Sequence, residues 1–115
     1  MERQLPAKYK NQLRPINIPG VVGFAWDRSL LLDFLNSEES HHYAVLGGDV
    51  LRLVGNMMEY TYDNWSVSGK RHPTENFADY VARCKKLAID YITSYPIKDG
   101  VLFAVTLSSE VTAGL

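Results

Sequence analysis

At 115 residues, 46% of them hydrophobic and 22% charged, the chain has an ordinary globular composition and the length for one domain with a buried core. Its net charge of −1 supplies no global field to draw nucleic acid or anionic lipid, and no apolar run approaches the roughly 20 residues of a membrane span. One cysteine, Cys84, leaves no internal disulfide, and Met1-Glu2-Arg3-Gln4 lacks the apolar stretch of a signal peptide, so a reducing, cytoplasmic home is expected.

Residues 1–19 contain Pro6, Pro15 and Pro19, followed by Gly20 and Gly23, and this spacing predicts an extended lead-in rather than a long helix. A first helix is predicted over about 27–37. Asp27 stands at its cap, and Trp26, Leu30, Leu31, Phe34 and Leu35 recur at helical spacing. The polar run Asn36 to Ser40 ends it.

A β-hairpin over 50–62 follows, turning at Gly55-Asn56. Counting outward pairs Val54 with Met57, Leu53 with Met58, Arg52 with Glu59, Leu51 with Tyr60, and Val50 with Thr61. Leu51, Leu53, Met58 and Tyr60 then share a core-facing side continued by Tyr62, while Arg52 and Glu59 form a cross-strand ion pair on the other side. Tyr43 to Leu46 reads as the first half of the same bent strand. The register places Asp49 opposite Tyr62 on the apolar side, where a carboxylate needs donors. Gly47 and Gly48 would let the strand bulge or let another segment approach closely. The structural reading is a kinked strand whose Asp49 ties the sheet to the Asp63-Asn64-Trp65 corner; the alternative is that Asp49 touches a ligand or partner.

The second helix is predicted over about 75–95, with Thr74 as cap and Glu75 in its first turn. Phe77, Tyr80, Val81, Cys84, Leu87, Ala88, Tyr91, Ile92 and Tyr95 form its apolar stripe. Asp79–Arg83 and Lys86–Asp90 are i,i+4 pairs on the opposite face, and Pro96 stops the helix. Val101 to Leu107 reads as a buried strand beside the Val50 strand and antiparallel to it, and 108–115 as a loose tail. The whole is one α+β domain: a small antiparallel or mixed sheet, hairpin 50–62 plus strand 101–107, with both helices on one face.

Few residues suggest chemistry. Adjacent His41 and His42 point opposite ways on an extended chain and do not chelate one ion, so no metal is expected. Cys84 lies on an apolar helical stripe and reads as core. Gly47-Gly48-Asp49 lacks the Lys-Ser/Thr of a phosphate loop. Asp49 and Asp63 would need to share a cleft to act as an acid/base pair. Charge is uneven along the chain: residues 27–66 carry seven acidic and two basic groups, −5, against +3 before them and +1 after. A basic partner would meet this middle, unless the clustering is only a solvated surface.

The motifs that remain are Gly20-Val21, Ala25-Trp26 with its leucine-rich helix, Leu46-Gly47-Gly48-Asp49-Val50, Tyr60-Thr61-Tyr62-Asp63-Asn64-Trp65, Phe77…Tyr80-Val81, and Tyr91-Ile92…Tyr95-Pro96. Together, over about 20–107, they resemble the immunity protein 40 family of bacterial polymorphic toxin systems. The chain departs from that pattern at Ser66, where an aromatic often follows the corner tryptophan. The resemblance implies a non-catalytic protein without cofactor that binds and blocks a cognate toxin domain, with no role for nucleic acid or membrane. Such a protein is expected as a monomer or weak homodimer; a small non-catalytic interaction or adaptor module, able to self-associate, is the alternative. The expected contact patch is Glu38, Glu39, Arg52, Glu59 and Asp63. Gly47, Gly48, Asp49, Asn64 and Trp65 are expected to brace the scaffold.

Overall fold

The computed structural model describes residues 5–67, 71–96 and 99–109. In chain order these form helix α1 (Ala7–Lys10), strands β1 (Arg14–Pro15) and β2 (Phe24–Asp27), helix α2 (Arg28–Leu35), a 3-10 turn (Glu38–His42), strands β3 (Tyr43–Val54) and β4 (Met57–Ser66), helix α3 (Phe77–Ser94) and strand β5 (Val101–Ser109). The five strands make one antiparallel sheet in the order β1-β2-β5-β3-β4. The fold is α+β, with α2 and α3 packed on one sheet face and β5 beside β3, antiparallel, as the sequence predicts.

Local chemistry shifts several boundaries. Trp26, just before the cap, sits in β2 opposite Phe103, and the helix begins after this ladder ends and stops at Leu35, short of the expected end. Asp27 stands at the cap position without capping; its carboxylate lies 3.4 Å from Arg14 Nε instead. The lead-in is not extended throughout, because α1 swings Tyr9 inward to meet Phe34 edge-on at 5.1 Å. Asn76, not Thr74, caps α3, accepting from the Asp79 amide at 2.8 Å. Glu75 lies before the helix and takes two hydrogen bonds from Arg83, at 2.8 and 3.0 Å, so the expected Asp79–Arg83 pair gives way to a bidentate one. β5 continues through Ser108 to Ser109, beyond the predicted strand end; the rest of the expected tail lies outside the described residues.

Both sheet faces are apolar. On the helix side Trp26, Val50 and Phe103 pack with Leu31, Phe34 and Ile92. At the far end of that layer Ala44 packs with Phe77, Tyr80, Val81 and the fully buried Cys84. On the outer side Ala25, Leu51, Met58 and Leu102 form a smaller core, closed by Ile16 and Ile18 of the lead-in. This corrects the predicted facing of the hairpin. Leu51, Leu53, Met58 and Tyr60 belong to the outer side, and Arg52 and Glu59 to the side that carries the helices, since Arg52 lies opposite Val101. Alternation shows which residues share a face; with apolar residues on both, it does not show which face the helices take.

The lead-in is held across the outer face by Asn17. Its amide donates to the Asn56 carbonyl at 2.7 Å, and its oxygen accepts from the Met58 amide at 2.8 Å. Asn17 thereby supplies the partner that the β4 edge lacks at this point.

Candidate functional site

The Gly47-Gly48-Asp49 step is where β3 changes register with both neighbours. Against β5 the shift falls between Val45 and Gly47; against β4 it falls between Asp49 and Leu51. The predicted pairs hold from Val54–Met57 to Leu51–Tyr60 and then break. Asp49 faces Asn64, not Tyr62, and the Val50–Thr61 pair is lost. While β3 goes from Leu51 to Asp49, β4 goes from Tyr60 to Asn64, so β4 carries two extra residues. They form a bulge in which Tyr62 has φ 68° and is 87% exposed instead of continuing an apolar face. Thr61 stitches the bulge: its hydroxyl donates to the Val50 carbonyl at 2.9 Å and accepts from the Asp63 amide at 3.1 Å.

The glycines permit this packing. A Cβ on Gly47, whose φ is 145°, would strike the Trp65 carbonyl oxygen, and one on Gly48 would strike the carbonyl oxygen of Ala104. Each glycine thus admits a neighbouring backbone from one side of β3.

The Asp63-Asn64-Trp65 corner is tied to α3. Asp63 accepts a 2.6 Å hydrogen bond from the Tyr95 hydroxyl, and Trp65 stacks on Tyr91 with ring centroids 5.0 Å apart and planes 13° from parallel. Tyr91 meets Tyr95, and Tyr95 meets Phe103 edge-on, so an aromatic row closes the seam between the β4 edge and the core. Burial, and then the Asp63 carboxylate, push the Tyr95 hydroxyl above its ordinary pKa. The Trp65 indole N–H is buried with no acceptor among the described residues.

Asp49 takes no part in that seam. It is half-buried on the outer face beside Ala104 and Asn64, whereas Asp63 reaches Tyr95 on the helix side. The two carboxylates therefore do not share a cleft. Around Asp49 the outer face lies beyond the cover of Ile16 and Ile18, and its neighbours Asn64, Ser66 and Thr106 are exposed. A depression of about 320 Å³ is lined there by Leu46, Gly47, Gly48, Asp49, Trp65 and Thr106. A larger cleft of about 520 Å³ lies where β2 meets the start of β5, between Arg14, Asp27, Arg28, Leu53 and Leu102. Its charged groups are engaged within the fold, Arg14 with Asp27 and Arg28 with the Tyr95 carbonyl. Among the described residues no three His, Cys, Asp or Glu side chains are grouped to hold a metal. His41 instead lies 3.2 Å from Lys85, by Nδ1.

The five expected contact residues are not brought together. Arg52 and Glu59 are opposite one another near the hairpin turn, both exposed, and do not belong to the ion pairs among the described residues, which are Lys8–Asp33, Arg14–Asp27 and Arg83–Glu75. Asp63 lies farther along the β4 edge. Glu38 and Glu39 open the 3-10 turn before the other end of β3, whose first residue, Tyr43, is about 30 Å of strand from Arg52. Sequence reasoning missed the Tyr62 bulge and the Asn17 clasp. The polar Asp63-Asn64 pair inside a strand is the one local signal of the first, and nothing local marks the second.

The family model described as immunity protein 40 matches residues 12–108. No curated protein and no solved structure matches the chain. The matched span takes in the sheet, α2 and α3, the glycine step and the tryptophan corner, and on that match the chain belongs to the immunity protein 40 family.

Proposed function

We propose that the protein binds a toxin domain made by the same cell and neutralises it by stoichiometric occlusion, without catalysis. The family match over residues 12–108 carries this reading. The site geometry is consistent with it: the glycines and Trp65 are spent on holding strands and a helix together, and Asp49 and Asp63 project to different sides of the sheet. Such an interface would bury on the order of 1,600 Å² in all.

The separation of the acidic groups assigns them different work. Arg52, Glu59 and Asp63 follow the hairpin and the β4 edge on its helix side and are proposed as peripheral contacts, at the border of the interface. Glu38 and Glu39, at the opposite end of β3, act by long-range attraction on a basic partner. Reversing both to lysine is expected to slow association several-fold at low salt and to leave melting unchanged; an unaltered on-rate removes them from the account. The reading itself is tested by producing, in one cell, the toxin from the neighbouring reading frame with and without this chain. Survival only with the chain present is the expected result. Equal killing in both cultures contradicts it.

A further inference from the structure

Resting on the toxin-binding reading, we propose that the toxin docks on the open half of the outer sheet face, and that it presents an arginine to Asp49 beside the rings of Tyr60 and Tyr62. Three observations meet there. The lead-in covers the hairpin end of this face through Ile16 and Ile18 and, among the described residues, leaves the end around Asp49, Asn64 and Thr106 bare. The bare end is recessed in a depression of about 320 Å³ bordered by Gly47, Asp49 and Thr106. At its border the β4 bulge holds an aromatic ring in water: Tyr62 is 87% exposed at φ 68°, a conformation unfavourable for a bulky residue, with its ring 6.4 Å from that of half-buried Tyr60.

Charge selects the occupant. β3, β4 and β5 together carry three acidic residues, Asp49, Glu59 and Asp63, and one basic residue, Arg52, which projects from the helix side. Among the described residues of these strands, the open half thus has a carboxylate and no cation. A guanidinium suits it better than an ammonium, because its plane can lie against a tyrosine ring while its edge pairs with the carboxylate. A second copy of this chain brings the same negative sign. It also meets a β4 edge interrupted at Tyr62 and capped by Asn17 at Met58. Nucleic acid is disfavoured by sign as well.

The test uses the full chain and an inactivated form of the toxin domain from the neighbouring reading frame. Tyr62→Gly, Asp49→Asn and a control on the exposed face of α3, Asp90→Asn, are compared by titration calorimetry at low and high salt, with thermal melting of each. Glycine accepts a positive φ, so Tyr62→Gly is expected to melt at or above the wild-type temperature while binding about tenfold more weakly or worse. Asp49→Asn is expected to weaken binding by a similar factor and to flatten its salt dependence, and the control to bind as wild type. Tyr62→Gly and Asp49→Asn variants that both bind within about threefold of wild type overturn the docking surface and leave the toxin-binding reading standing. So does a Tyr62→Gly chain that melts far lower, which would give the ring a structural role. Hydrogen exchange showing this face protected by self-association in the absence of toxin also overturns it. A wild-type chain that does not bind the toxin at all overturns both proposals.

Discussion

Gly48 shows how little room the central strand leaves. Its missing side chain is replaced by the Ala104 carbonyl, which is backbone and has no rotamer to change. Gly48→Ala is therefore expected to lower stability by about 2–3 kcal/mol, read from denaturant unfolding. A loss within about 0.5 kcal/mol would show that the strands can part without penalty. Glu75 makes a different kind of contact. Hydrogen bonds from Arg83 hold its carboxyl down from 4.5 to about 2. A carboxyl depressed in the folded state stabilises fully above its unfolded pKa, and that contribution is lost as pH falls through the folded one. The loss here falls between about pH 4.5 and 2. Glu75→Gln should shallow the acid limb of the stability profile in that window and leave the neutral region parallel to wild type. An unchanged acid limb would mean the clamp of the 72–75 turn onto α3 contributes nothing.

Among the elements, the lead-in bears most directly on the site, because it decides which part of the outer face stays open. Ile16 and Ile18 cover the apolar end, and the two Asn17 hydrogen bonds fasten the segment at the β4 edge. Asn17→Ala should cost about 1–2 kcal/mol and raise hydrogen exchange at the Met58 amide before that of Leu51. Uniform exchange across the hairpin would mean that the clasp and sheet open as one unit. The same elements show what the sequence discloses. The hairpin turn and its first four pairs were legible, since a two-residue turn fixes register for as long as pairing is regular. α3 was legible from its stripe. The facing of the sheet was not, because Val50 and Leu51, adjacent and both fully buried, point to different cores. The role of Gly47 and Gly48 as points of close approach could be read from residue type alone; the carbonyls that approach them could not. Asp49 illustrates the limit. Its face followed from alternation, but its partner in register depended on two extra residues in β4 that obey no periodicity.

At the scale of the whole molecule, chain position alone overstated the acidic patch. Glu38 and Glu39 lie at one end of β3 and Arg52 and Glu59 near the other. What remains contiguous is the acidic β3–β4 pair, its outer face open at the end away from the turn, on a scaffold whose conspicuous residues hold backbones together. On the proposed function such a body obstructs its partner, and obstruction has a stoichiometry. The most direct measurement is the activity of a fixed amount of the cognate toxin domain as this chain is added. The account expects a linear fall to zero at one equivalent, with the two proteins then migrating together. Activity that persists in excess chain, or that disappears at a small fraction of an equivalent as turnover would produce, contradicts it.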